Sequence, residues 1–126
     1  MSSASAITPQ EMARYQATAR QRAVKRQQAL DAWRQRARET SERAAALLKA
    51  HYGVSRVVLF GSLSRAEPFS PHSDIDLAAW GLDERVYYRA VSRLLDLDPA
   101  VSIDLLRAEE LSPQLLRVIE TEGTPL

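Results

Sequence analysis

A chain of 126 residues has room for one ordinary domain, or a smaller one with an appendage, and not for two catalytic domains. At 45% hydrophobic and 26% charged residues it can build a core, which excludes disorder throughout; with no cysteine it can form no disulfide, thiolate metal site, iron–sulfur cluster or cysteine nucleophile. The formal net charge of +1 hides an imbalance: residues 1–50 hold ten Lys or Arg against four Asp or Glu, a balance of +6, and residues 51–126 hold seven against twelve, a balance of −5.

The first residues lack a basic leader followed by an apolar run, and nowhere do about 18 apolar residues stand together, so neither a secretory signal nor a membrane span is expected. The chain reads as soluble and cytoplasmic. After Pro9, residues up to Lys49 contain no glycine or proline and are rich in Ala, Arg, Gln, Glu and Leu, which predicts one long helix. Thr8, Pro9 and Glu11 suit its N-cap, N1 and N3 positions. Met12, Ala19, Arg26, Trp33, Thr40 and Leu47 fall at one heptad position, with Ala23, Leu30, Ala37 and Ala44 at another. The seam strengthens toward its C-terminal end but is too small and polar for an autonomous coiled coil, so Leu30, Trp33, Leu47 and Leu48 are expected to pack on the core or on a partner. The arginines are spread over the helical register without an aromatic platform or a DNA-reading motif, so a solvated surface is preferred to a nucleic-acid site.

Gly53 ends the helix, and residues 56–60, Arg-Val-Val-Leu-Phe, predict a short buried strand. A polar, turn-rich stretch over residues 61–73 leads to a second strand over 74–80. Asp74, Asp76 and Ala78 share one face of it, opposite Ile75, Leu77 and Ala79. A helix is predicted from Asp83 until Asp98-Pro99 breaks it. A third strand over 101–106 sets Ser102, Asp104 and Leu106 opposite Val101, Ile103 and Leu105. A last helix over 111–122 takes Ser112 as cap and Pro113 in its first turn. This order predicts an α/β fold, a small sheet flanked by helices, with residues 1–45 as a helical extension and 46–126 as the domain proper.

Three carboxylates stand in strands that otherwise read as core, where Asp is disfavoured. Asp74 and Asp76, two residues apart on one face, repel each other unless a cation lies between them; Asp104 repeats the anomaly in the next strand. The cluster suits Mg²⁺, which takes oxygen ligands and leaves positions for water and phosphate. His51 and His72 could compete as ligands but read as surface or loop residues. Phe60-Gly61-Ser62 closes the first strand: the glycine lets backbone approach a phosphate, Ser62 offers a donor, and Arg65 could hold another phosphate oxygen.

The segments Val58-Leu-Phe-Gly-Ser-Leu-Ser-Arg-Ala-Glu67, Ser73-Asp-Ile-Asp-Leu77 and Val101-Ser-Ile-Asp-Leu105 resemble the minimal nucleotidyltransferases of the DNA polymerase β superfamily, over about residues 46–126. The resemblance implies a polymerase-β-like fold. It also implies nucleoside triphosphate binding by Gly61 and Ser62, two Mg²⁺ ions on Asp74 and Asp76, and Asp104 completing the site and activating the acceptor hydroxyl. Where the family has Arg-Gly, this chain has Arg65-Ala66. A chain of this length is not expected to carry a further domain to hold a small acceptor, and stand-alone members resemble the antitoxins paired with HEPN ribonuclease toxins, which attach AMP from ATP to a toxin tyrosine. The expected partner is therefore a HEPN toxin, with the basic helix as a docking arm or a dimer or hetero-oligomer element, and without membrane or nucleic acid. The alternatives are an antitoxin acting by contact alone, a small-molecule nucleotidyltransferase, and an adaptor built on the basic helix.

Overall fold

A computed structural model describes residues 6–61, 63–64 and 73–126. Its elements are α1 (Pro9–His51), β1 (Arg56–Phe60), β2 (Ile75–Trp80), α2 (Tyr87–Leu95), β3 (Ile103–Arg107), α3 (Pro113–Glu122) and β4 (Thr124–Pro125). The sheet order is β3-β2-β1-β4; β1 runs antiparallel to β2 and β4, and β2 parallel to β3. This is the expected α/β arrangement with a mixed sheet and a long first helix. No described helix is long and apolar enough to cross a membrane.

The chain divides into two units, Met1–Ala32 and Trp33–Leu126. In the first, Thr8 caps α1 as its sequence suggests: its hydroxyl accepts from the Glu11 amide at 3.1 Å. Ile7, Met12, Tyr15 and Val24 are exposed there. In the second, the heptad seam becomes a packing stripe, and Ala37, Thr40, Ser41, Ala44, Ala45 and Leu48 are buried. Small residues let the helix lie close to the sheet. The two buried hydroxyls are satisfied within the helix, Ser41 donating to the Ala37 carbonyl at 2.8 Å and Thr40 to that of Arg36 at 2.9 Å.

Both faces of the sheet are covered, unequally. On one, Val57, Leu59, Ile75, Leu77, Ala79 and Leu105 form a core with the α1 stripe and with Ala90 and Leu94 of α2. Arg36 grips Asp98, just after α2, through two hydrogen bonds of 2.5 and 2.8 Å, and holds that carboxyl below the usual carboxylate range. On the other face α3 packs Ile119 on Val58 and Ala78, with Phe60, Trp80, Leu111 and Leu115 around them. Ala78, placed by its alternation beside Asp74 and Asp76, is thus fully buried. That face is apolar where α3 lies and acidic at its other end.

Several boundaries differ from expectation. β2 begins at Ile75 rather than Asp74. β3 begins at Ile103 rather than residue 101, because the backbone of Val101 closes a turn on the Asp98 carbonyl at 3.0 Å although its side chain is buried. The helix expected from Asp83 opens as a 3₁₀ turn, Glu84–Val86, capped by Asp83. The Ser112 cap and Pro113 stand as expected, with the Leu115 amide donating to the Ser112 hydroxyl at 3.2 Å. β4, which no sequence pattern marks, pairs Thr124 with Leu59 and Pro125 with Val58.

Gly123 joins α3 to β4 where no side chain fits, since an added Cβ would stand 2.4 Å from both the Ile119 carbonyl and Val58 Cγ1. Gly123→Ala should cost about 2 kcal/mol or more in denaturant unfolding, as overpacking does. In hydrogen exchange, amides of residues 10–29 should exchange faster than those of 37–48, because only the latter belong to a helix face buried in a core.

Candidate active site

The sheet register brings the strand carboxylates together. β2 and β3 are parallel and in step, so Asp76 lies directly opposite Asp104. Across β1, Asp76 lies opposite Phe60, and the next residue is Gly61. The starts of two parallel strands and the end of an antiparallel one therefore meet at one place. Asp74 precedes β2 and is exposed, as is Asp104; Asp76 is half-buried. Among the described residues no Lys, Arg or His forms an ion pair with any of the three.

The electrostatic result is plain at Asp76. Burial, then the negative charges of Asp104 and Asp74, push its carboxyl above the usual Asp value. The same Asp104 charge, after burial, helps push the Tyr87 phenol up. The Tyr87 hydroxyl itself donates to the Leu105 carbonyl at 2.6 Å on the outer edge of β3.

Gly61 is favoured by its backbone conformation and lies hard against the Asp76 carboxylate. Its φ is +80°, and an ideal Cβ would stand 2.2 Å from Asp76 Oδ2. Backbone therefore passes against the carboxylate with no side chain between them. The Ser64 amide donates back to the Gly61 carbonyl at 3.2 Å, closing a turn. Ser62 and Arg65, expected to bind phosphate, lie outside the described residues, as do Ala66 and His72.

No protein-family model matches the chain, and no curated protein matches it. Solved structures do. A protein provisionally named a minimal nucleotidyltransferase aligns at 28% identity and a TM-score of 0.61, over 74% of this chain and 95% of that one. The fold is that of the minimal nucleotidyltransferases. A toxin–antitoxin structure with AMP-PNP is similar in fold at 24% identity and a TM-score of 0.56, over 68% of this chain and 70% of that one. So is the complex of a tri-AMPylated HEPN toxin from Shewanella oneidensis with its MNT antitoxin, at 22% and 0.53, over 70% and 69%.

Within this minimal nucleotidyltransferase fold the donor set suits a hard divalent cation, being carboxylate oxygen beside backbone that a phosphate could approach. Among the described residues, however, no three His, Asp or Glu side chains are gathered around one point at which a metal could sit. What the sequence missed are the contacts that hold the turn after β1. Arg38 donates to the Leu63 carbonyl at 3.4 Å, and the Ser64 hydroxyl lies 2.9 Å from that of Thr124. No motif marks these residues, because the contacts depend on α1 and β4 converging on the turn.

The raised Asp76 pKa makes a signed prediction. Its folded value lies above 3.8, so the folded state binds more protons than the unfolded chain as pH falls toward that value, and ionisation of Asp76 costs stability. In metal-free buffer, Asp76→Asn should therefore be more stable than the parent protein at pH 7, with the difference shrinking as the pH is lowered toward 4. Denaturant midpoints across that range are the measurement; an Asn variant that is less stable at pH 7 would contradict the repulsion.

Proposed function

We propose that this chain is a Mg²⁺-dependent nucleotidyltransferase that moves AMP from ATP to a hydroxyl, a tyrosine for preference, of a HEPN toxin, and so acts as its antitoxin. The observation that carries the reading is the in-register pair Asp76 and Asp104, without a cationic partner among the described residues, beside the Gly61 turn of a minimal nucleotidyltransferase fold. The similar structures with AMP-PNP and with an AMPylated HEPN toxin support the choice of nucleotide and partner.

In this reading Asp74, Asp76 and Asp104 would hold Mg²⁺, which would supply neutralisation of the charge on the reacting oxygens. Gly61 lets backbone reach the phosphates, and Ser62 and Arg65 bind phosphate oxygens. Asp104 takes the acceptor's proton as the hydroxyl oxygen forms its bond to the α-phosphorus and the bond to the β-phosphate oxygen breaks, releasing pyrophosphate. Catalysis then rests on placing and neutralising charge rather than on a covalent enzyme intermediate. Of the basic extension, the part before Trp33 docks the partner or joins two copies, since residues from Ala37 onward are spent on the core, and the protein works in the cytoplasm.

A second reading, neutralisation by contact alone, draws support from one observation: no three acidic or histidine side chains among the described residues are gathered around a metal position. One experiment separates the two. After incubation of a neighbouring HEPN partner with this protein, ATP and Mg²⁺, intact-mass spectrometry should show one or more AMP additions, slowed about a hundred-fold or more by Asp104→Asn. Inactivation of the partner without a mass change would instead establish the contact mechanism.

A further inference from the structure

The turn after β1 is held from two sides by residues that the proposed chemistry does not use. The Ser64 hydroxyl donates to the Glu122 carbonyl at 3.2 Å. Its single proton being so used, it accepts from the Thr124 hydroxyl, 2.9 Å away. Thr124 is itself fixed by its pairing with Leu59 of β1, and Leu126 beyond it donates to the Val57 carbonyl at 2.9 Å. On the other side, Arg38 of α1 donates to the carbonyl of Leu63, whose side chain is fully buried in the core. These anchors hold Leu63 and Ser64, and the Ser64 amide in turn holds the Gly61 carbonyl beside Asp76.

We propose that Thr124, from the short β4 strand, is a positioning residue for nucleotide binding: through Ser64 it holds the hydrogen bond from the Ser64 amide to the Gly61 carbonyl, and with it the Gly61 backbone that receives the triphosphate. The inference rests on the nucleotide reading above. A turn ordered in advance loses less conformational entropy when ligand arrives, so the clamp acts on affinity. A Thr124 that served only to seal the sheet edge would act on stability alone. The hydroxyl carries the effect, since Val has nearly the same shape and cannot make the bond.

The test is calorimetric titration with AMP-PNP and Mg²⁺ of the parent protein, Thr124→Val, Thr124→Ser, Ser64→Ala and the double variant Ser64→Ala with Thr124→Val, with thermal unfolding of each. Losing one net hydrogen bond should weaken binding about five-fold in Thr124→Val and in Ser64→Ala. Thr124→Ser should stay within about two-fold of the parent, and the double variant should bind no worse than the weaker single one, because both remove the same contact. Equal binding by parent and Thr124→Val, even with a lowered melting temperature, overturns the proposal, as does a Thr124→Ser loss as large as that of Thr124→Val. Should Thr124→Val fail to fold, Ser64→Ala decides. Failure of the parent itself to bind AMP-PNP strikes instead at the nucleotide reading, and the positioning role falls with it.

Discussion

Asp76 and Asp104 face each other at one step of a parallel strand pair, and the site is organised around their repulsion. Nothing in the packing of a small sheet calls for two carboxylates there; Val or Ile at either position would suit strand geometry better. Among the described residues no side chain relieves the repulsion, and Asp76 shows the result in a carboxyl pushed up by burial and by its two acidic neighbours. In the function proposed here, that cost in stability stands where a cation and a phosphate would offset it.

The surrounding helices cover much of the sheet and leave Asp74 and Asp104 exposed. The α1 stripe and α2 cover one face of the sheet, and the Arg36–Asp98 pair ties α1 to the segment after α2. α3 covers only part of the other face, centred on Val58 and Ala78, and is held at its edge by Arg56, which pairs with Glu120 at 3.0 Å and lies 4.4 Å over the Trp80 ring. Beyond α3 the same face changes from apolar to acidic, and there Gly61 brings bare backbone against Asp76. One strand, β2, thus serves the core through Ile75, Leu77, Ala78 and Ala79 and the site through Asp76.

Where local chemistry decides, the sequence was readable. β1 is a run of β-branched and aromatic residues and was placed at its observed limits; Thr8 and Ser112 cap their helices because side-chain oxygens there meet free amides. The carboxylates stand out in the sequence because their chemistry clashes with their setting. What eluded the sequence depends on distant parts of the chain. β4 is two residues long, one of them proline, and exists only because β1 offers an edge. The start of β3 was misplaced because Val101 is buried like a strand residue while its backbone turns on Asp98. Gly123 reads as an ordinary helix end, and only the approach of Val58 and the Ile119 carbonyl makes it indispensable. The Thr124 to Ser64 contact joins residues 60 positions apart.

If the acidic pair exists to hold a cation, divalent metal must stabilise the folded protein, because a ligand that binds only the native state raises its stability by mass action. The direct measurement is the melting temperature as Mg²⁺ is titrated into metal-free protein, for the parent chain and for the double variant Asp76→Asn with Asp104→Asn. The account predicts a rise that saturates in the parent and is absent from the double variant. A parent protein indifferent to Mg²⁺, or a double variant that responds equally, would contradict it.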